Sequence, residues 1–307
     1  MGGGRCRPLQ RDSFMKYKLR MLLIVLAIGG LVHGQTNPPP APRLANGKIN
    51  LGTAGGEKGV WVPPNAGDER LVELDSSMAA TANPFAIETN PLQRTPRPAG
   101  VTSATAGFPG KLTVSQVPFQ PWARALYAFR AENQLEPHIR CKPSGGPRQF
   151  LTPYGVEFVD LPEIRRMYIV DIGGPHSMRL IDMDARAHPK DLEPSDYGHS
   201  IGQWQGDTLV VDTIGFNEKF WIDRQGTPHT DKLHLVERFT RSDFNTLKYE
   251  FTIDDPGAYT AQWSSGILLR WSPGQELFEY VCQDNNLAPD LAVGQAGAID
   301  RHSVIVP

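Results

Sequence analysis

The sequence has few cysteines, little net charge and no long apolar run. Its 307 residues include 31 Lys and Arg against 33 Asp and Glu, which gives a formal net charge of -2 at pH 7. Proteins that bind nucleic acids carry a clear basic excess, so we expect no nucleic-acid partner. The apolar run at residues 21–32 is shorter than the ~20 residues that a membrane-spanning helix needs. We therefore expect no transmembrane span in the mature chain.

That short apolar run has the features of an export signal. A basic segment, residues 16–20, precedes it and the small residue Gly34 follows it, as in secretory signal peptides. We predict that residues 1–34 are a signal peptide and that the mature protein is extracytoplasmic, either periplasmic or secreted. Met15 is an alternative start, because the basic segment after it is complete.

The three cysteines of the chain are Cys6, Cys141 and Cys282. Cys6 would be removed with the signal peptide, which leaves one pair in an oxidising compartment. We predict a disulfide between Cys141 and Cys282, which would close a long loop and add ~2–4 kcal/mol of stability. Two separate buried thiols are the alternative.

The pattern of apolar residues divides the mature chain into an arm and one domain. Residues 35–117 are rich in Pro, Gly and Ala and lack periodicity, which indicates an extended, largely disordered arm. The apolar residues Trp122, Ala125, Leu126 and Phe129 lie at helical spacing, which predicts one amphipathic helix at the start of the domain that covers part of the sheet with this apolar face. About eight short, alternating segments follow, separated by turn residues. We predict a single, mainly β domain over residues 118–307, an antiparallel meander that forms a lipocalin-like barrel or, alternatively, a sandwich.

Histidines and carboxylates are concentrated in the middle of this domain. His199, His229 and His234 are candidate metal ligands, because imidazole together with carboxylate suits zinc or iron. His229 and His234 are five residues apart, which puts them on opposite faces of a strand unless a turn intervenes. Independent surface imidazoles are the alternative. His199, His234 and Glu237 are also the candidates for acid–base catalysis, and whether the protein is an enzyme stays open.

The connection at residues 215–229 combines aromatic and charged side chains. Long connections often carry function, and a small barrel can hold one ligand at its mouth. The leading hypothesis is therefore a small-molecule ligand, partly apolar or a carbohydrate, bound in the barrel. The alternatives are a metal-assisted hydrolase or lyase that uses the His/Glu cluster, and an envelope interaction module. The ligand-binding candidates are Phe216, Asn217, Phe220, Trp221 and Arg148.

Six short segments form a recognisable set. They are CKPSGGPRQF at 141–150, YGHSIG at 197–202, GDTLVVDT at 206–213, ERFTR at 237–241, DDPGAYT at 254–260 and CQDNN at 282–286. Together they resemble an uncharacterised family of exported soil-bacterial proteins of unknown function, and the resemblance covers about Pro118 to Gly294. The resemblance implies export and a β-rich architecture. It implies no activity, ligand or cofactor.

Overall fold

The structure is a computed structural model that describes residues 38–53, 55–63, 70–73, 112–133, 136–172, 178–280 and 282. The predicted signal peptide, residues 1–34, lies outside the described residues, as does the 74–111 part of the predicted arm. Among the helices that are described, none is long and apolar enough to cross a membrane.

The described chain consists mainly of β-strands. In chain order, the elements are β1 (Gly59–Val62), β2 (Val72–Glu73), β3 (Leu112–Thr113), helix α1 (Pro121–Asn133), β4 (Val156–Leu161), β5 (Arg166–Asp171), β6 (Met178–Asp182), β7 (His199–Gln205), β8 (Thr208–Ile214), β9 (His234–Arg241), β10 (Thr246–Asp254) and β11 (Trp263–Pro273). Nine of these strands close into a barrel in the order β1-β11-β10-β9-β8-β7-β6-β5-β4, and β2 and β3 form a small parallel sheet. The predicted mainly β barrel is confirmed.

Alternation of side chains decides which residues face the barrel interior. In β10, Leu247, Tyr249 and Phe251 are buried, whereas Lys248 is exposed between them. Successive side chains of a strand point to opposite faces, so the apolar set packs inside and the polar set meets solvent. Because β9 and β11 pair with β10 over most of their length, the same rule orients the side chains of all three strands.

Strand β1 comes from the predicted arm and closes the barrel. It pairs with β11 on one side and with β4 on the other, so that Trp61 lies opposite both Trp271 and Val156. A side chain at position 59 would collide with the Trp271 indole, since a Cβ built on Gly59 lies 2.4 Å from a ring carbon. Glycine therefore permits the close approach of β1 to β11.

One pair of barrel strands departs from the predicted antiparallel meander. Strands β6 and β7 run parallel, with Ile181 opposite Ser200 and Asp182 opposite Ile201. Parallel neighbours need a long crossover connection, because the chain has to return to the end at which it started. Residues 183–198 are that connection.

The described side chains of the barrel interior are tightly packed. Phe150 enters from a short 3-10 helix, and its ring lies 4.3 Å from that of Tyr249 and 5.2 Å from that of Phe239. Arg179 and Glu237 form a buried ion pair beside this cluster, with Arg179 Nη1 3.0 Å from Glu237 Oε1. The Tyr249 hydroxyl donates to the same carboxylate at 2.8 Å, so the buried charges have partners.

Helix α1 lies where the apolar spacing predicts a helix, but the predicted apolar face is not the buried one. Trp122 and Phe129 are 46% and 52% exposed, whereas Ala123 and Tyr127 are fully buried. The Tyr127 hydroxyl donates to the carbonyl of Val72 at 3.0 Å, which ties the helix to β2. The small residue and the hydrogen-bonded tyrosine therefore face the core, one turn apart.

The predicted disulfide is confirmed. Cys141 and Cys282 are joined, with their Cα atoms 5.6 Å apart, a usual separation for a disulfide. The bond connects the loop before Phe150 to the chain beyond β11.

Candidate functional site

The outer wall of the barrel brings three titratable side chains together across β7, β8 and β9. Their chain neighbours Ser200, Thr213 and Leu235 are buried and face inward, so His199, Asp212 and His234 face outward. The register places Asp212 opposite Ile201 of β7 and Val236 of β9. Both histidines are therefore diagonal neighbours of the aspartate, within reach of long side chains.

The crossover connection adds a third histidine to this wall. His188 Nε2 lies 2.9 Å from Asp212 Oδ1, and His234 Nε2 lies 3.0 Å from Asp212 Oδ2. Since the aspartate is the acceptor, each ring carries its hydrogen on Nε2 and donates it. Burial acts to raise the pKa of Asp212, but the hydrogen bonds from His234 and His188 outweigh it and lower that pKa. The carboxylate stays ionised and orients both rings.

His199 extends the hydrogen-bonded chain toward a second carboxylate. Its Nδ1 atom lies 2.8 Å from Nδ1 of His188, and its Nε2 atom lies 3.5 Å from Asp182 Oδ2. Burial, followed by the charge of His188, lowers the pKa of His199. Asp182 also forms ion pairs with Arg166 and Arg186 at 3.6 and 3.8 Å. We call the set Asp182, His188, His199, Asp212 and His234 the histidine–aspartate cluster.

The cluster reaches solvent at one end. The His234 and Asp212 side chains are 38% and 44% exposed, whereas Asp182 at the other end is 8% exposed. Among the described residues, Nδ1 of His234 has no hydrogen-bond partner. A carboxylate holds this imidazole by one nitrogen and leaves the other open, which is the arrangement of an oriented general base.

The structure brings His199 and His234 into one cluster but keeps His229 apart from them. His229 is buried beneath the Phe220 ring, with Nε2 3.0 Å from the Phe220 carbonyl oxygen. Burial lowers the pKa of His229 and outweighs the hydrogen bonds to the carbonyls of Thr230 and Phe220, which raise it. Within the described ranges, no group of three or more His, Cys, Asp or Glu side chains is arranged to hold a metal ion.

Glu237 lies on the other side of the barrel wall from His234. The two residues are three positions apart in β9, and an odd separation reverses the direction of the side chain. Glu237 is fully buried and pairs with Arg179, so the structure does not bring it to the histidines.

The predicted ligand-binding residues lie in the packed interior rather than along an open surface. Phe216, Phe220 and Trp221 are buried, and the rings of the two phenylalanines are 5.6 Å apart. Arg148 is buried and donates from Nε to Glu136 Oε2 at 2.6 Å. Asn217 is partly buried, and its side-chain oxygen accepts the backbone N–H of Lys219.

Sequence reasoning missed His188, Asp212 and Asp182. Asp212 stands in the apolar run of β8, where it reads as an outward polar residue with no special role. His188 lies in a long connection between strands. Long connections often carry function, so the length of this one was the only feature of the sequence that could have indicated His188. Only the parallel pairing of β6 and β7 brings that connection over the outer wall.

Comparisons with known proteins give no relative: no family model, no curated protein and no solved structure matches this chain.

Proposed function

We propose that the protein binds a small polar molecule on the outer wall of the barrel and acts on it by acid–base catalysis, as a hydrolase or lyase. The observation that carries this proposal is the Asp212–His234 pair. An imidazole hydrogen-bonded to an ionised carboxylate, with its second nitrogen open to solvent, is the arrangement by which histidine bases are oriented.

The closed barrel is compatible with ligand binding. Because its described interior is filled by packed side chains, we favour the outer wall as the binding site. Phe150, Phe239 and Tyr249 stack against one another inside, and Arg179 with Glu237 occupies the adjoining space. A ligand inside the barrel would have to displace packed rings or separate a buried ion pair. The outer cluster needs no such rearrangement.

In the proposed reaction, His234 takes a proton from the substrate or from an attacking water at Nδ1. Asp212 accepts the Nε2–H of His234 and stabilises the imidazolium that forms. His188 donates to the other oxygen of Asp212, so that each carboxylate oxygen accepts one imidazole N–H. The two hydrogen bonds thus hold His234 in the tautomer that a base requires.

We place this chemistry outside the cytoplasm. The Cys141–Cys282 disulfide supports an oxidising compartment, because such bonds are rare in the cytosol. The resemblance to exported soil-bacterial proteins points the same way.

The test measures turnover of three chromogenic substrate classes by the purified protein: a p-nitrophenyl carboxylic ester, phosphate and glycoside. We expect at least one class to be cleaved and the rate constant to fall by roughly 10²–10⁴ in His234→Gln and Asp212→Asn, the usual contribution of a general base. Arg238→Gln is the matched control, because Arg238 is an exposed outer-wall residue of the same strand.

Cleavage of none of the three classes would contradict the proposed hydrolase. Cleavage that survives intact in His234→Gln would also contradict it, since the active group would then lie elsewhere. Circular dichroism of each variant checks that the fold is unchanged.

A further inference from the structure

We propose that the His188 and His199 rings hold one extra proton between them at neutral pH, and that the resulting positive charge sets the base strength of His234 through Asp212. The shared proton is argued from contacts among the described residues and is tested without a substrate. Its effect on catalysis rests on the proposed function, in which His234 is the base.

Three contacts of the two rings each require a hydrogen. The Nδ1 atoms of His188 and His199 are hydrogen-bonded to each other at 2.8 Å. His188 Nε2 lies 2.9 Å from Asp212 Oδ1, and His199 Nε2 lies 3.5 Å from Asp182 Oδ2. Without a hydrogen in the contact, an imidazole lone pair would face a second lone pair or a carboxylate oxygen. Two neutral imidazoles carry only two ring N–H hydrogens, so three contacts require one proton more.

A neutral pair of rings would leave one of these contacts without a hydrogen. If His188 donates to Asp212, its Nδ1 accepts the hydrogen of His199 Nδ1. The remaining nitrogen of His199 then turns a lone pair toward the Asp182 carboxylate. The opposite choice gives His199 a hydrogen toward Asp182 but takes the hydrogen from His188 Nε2 that Asp212 accepts. One extra proton removes this conflict.

Carboxylates at both ends of the pair stabilise its positive charge. Asp212 reaches it from β8 and Asp182 from β6, and a negative charge this close favours a protonated imidazole. The side chains of His188 and His199 are only 18% and 21% exposed, so solvent screens these attractions less than at an open surface. The other charged or titratable groups around the pair are His234 on β9, Arg166 on β5, and Asp184 and Arg186 in the crossover connection. The two arginines lie 3.6 and 3.8 Å from Asp182, which leaves Asp212 as the stronger partner of the pair.

The pair takes up one proton rather than two. A second proton would put hydrogens on both Nδ1 atoms, which are 2.8 Å apart, and would set two positive rings against each other. Burial, followed by the charge of His188, lowers the pKa of His199, in agreement with this limit. The two rings therefore titrate as a unit whose charge changes by one.

The charge of the pair acts on His234 through the carboxylate that they share. Asp212 accepts His188 on Oδ1 and His234 on Oδ2. With a cation already on Oδ1, the carboxylate stabilises a second imidazolium less, so His234 is a weaker base than it would be beside a neutral ring. For charges about 7 Å apart at a partly exposed site, this lowers the midpoint of the His234 titration by roughly 0.5–1 pH units. A base that stays unprotonated at neutral pH is ready to accept a proton.

The experiment follows the ring nitrogens of ¹⁵N-histidine-labelled protein by NMR while the pH is varied between about 5 and 9. At neutral pH we expect a hydrogen on Nε2 of both rings and one further hydrogen on the facing Nδ1 atoms. As the pH rises, the two rings should lose a single proton in one common step.

A variant without the charge tests the effect on His234. His188→Gln keeps an N–H donor for Asp212 but carries no charge, so the midpoint of the His234 titration should rise by roughly 0.5–1 pH units. Arg238→Gln is the matched control, because it removes a positive charge from the same strand. Four strand positions separate Arg238 from His234 by ~13 Å, beyond the Debye length of ~8 Å, so this variant should leave the midpoint unchanged.

Two neutral rings at neutral pH in the folded wild type would overturn the inference, and so would two rings that each bind a proton independently. An unchanged His234 midpoint in folded His188→Gln would overturn the effect on the base. If that variant does not fold, His199→Gln replaces it with the same expected shift, because it also breaks up the pair.

The proposed function and this inference can fail separately. A shared proton with no turnover of any substrate would leave the pair standing while the proposed function fails. Turnover that requires His234, together with two neutral rings, would do the reverse. Where turnover is present, the acid limb of the kcat/KM profile of His188→Gln should move to higher pH by the same amount as the His234 midpoint.

Discussion

At the scale of single residues, His138 makes stability depend on pH. Its Nδ1 atom lies 2.5 Å from Ser144 Oγ, and burial lowers its pKa to about 4. The unfolded imidazole titrates near 6.5, so the unfolded chain binds more protons between these two values. The contribution of His138 to the unfolding free energy is therefore fully present above pH 6.5, and it is lost as the pH drops toward 4.

We expect the wild type to lose up to about 3 kcal/mol of unfolding free energy from this group between pH 6.5 and 4. Urea unfolding at several pH values measures the loss. His138→Gln has no titrating ring, so its unfolding free energy should depend less steeply on pH in that window. Equal slopes for both proteins would show that His138 does not carry the effect.

At the scale of elements, two alanine variants of α1 can show which face of this helix stabilises the fold. Tyr127 is fully buried and hydrogen-bonded to the Val72 carbonyl, so Tyr127→Ala should lower the unfolding free energy by ~3–5 kcal/mol. Phe129 is of similar size but half exposed, and Phe129→Ala should change it by no more than ~0.5 kcal/mol.

Chemical denaturation of the two alanine variants side by side measures this difference. The comparison is matched, because both changes remove an aromatic ring from the same helix, two residues apart. A larger loss of unfolding free energy in Phe129→Ala than in Tyr127→Ala would contradict this expectation. It would show that the apolar face predicted from the spacing stabilises the fold.

At the scale of the whole molecule, the disulfide joins two residues that are 141 positions apart in sequence. Such a cross-link restricts the unfolded chain, and its removal should lower the unfolding free energy by ~2–4 kcal/mol. Guanidinium unfolding of the Cys141→Ser/Cys282→Ser variant measures the change. The reduced wild type is the control and should unfold at the midpoint of the double variant. An unchanged midpoint in the double variant would argue against a stabilising bond.

The secondary-structure elements of this protein could be predicted from its sequence better than its candidate site. Strand β10 could be predicted because Leu247, Tyr249 and Phe251 alternate with polar residues. The buried face of α1 was predicted wrongly. Trp122 and Phe129 lie at helical spacing whether or not another element covers them. Amphipathic spacing predicts that a helix forms, but the identity of its buried face depends on what packs against it.

The sequence by itself predicted the helix and most of the barrel strands, because these follow from local periodicity, and it made the Cys141–Cys282 disulfide possible without excluding two separate thiols. Only the tertiary structure decided that Asp212 lies diagonal to His234 and that the crossover connection carries His188 to the same wall. The physical reason is register. Alternation within a strand decides which of its residues share a face, but the alignment with the neighbouring strand decides which residues of the two strands come into contact. Strand neighbours and their offsets are set by packing across the whole barrel.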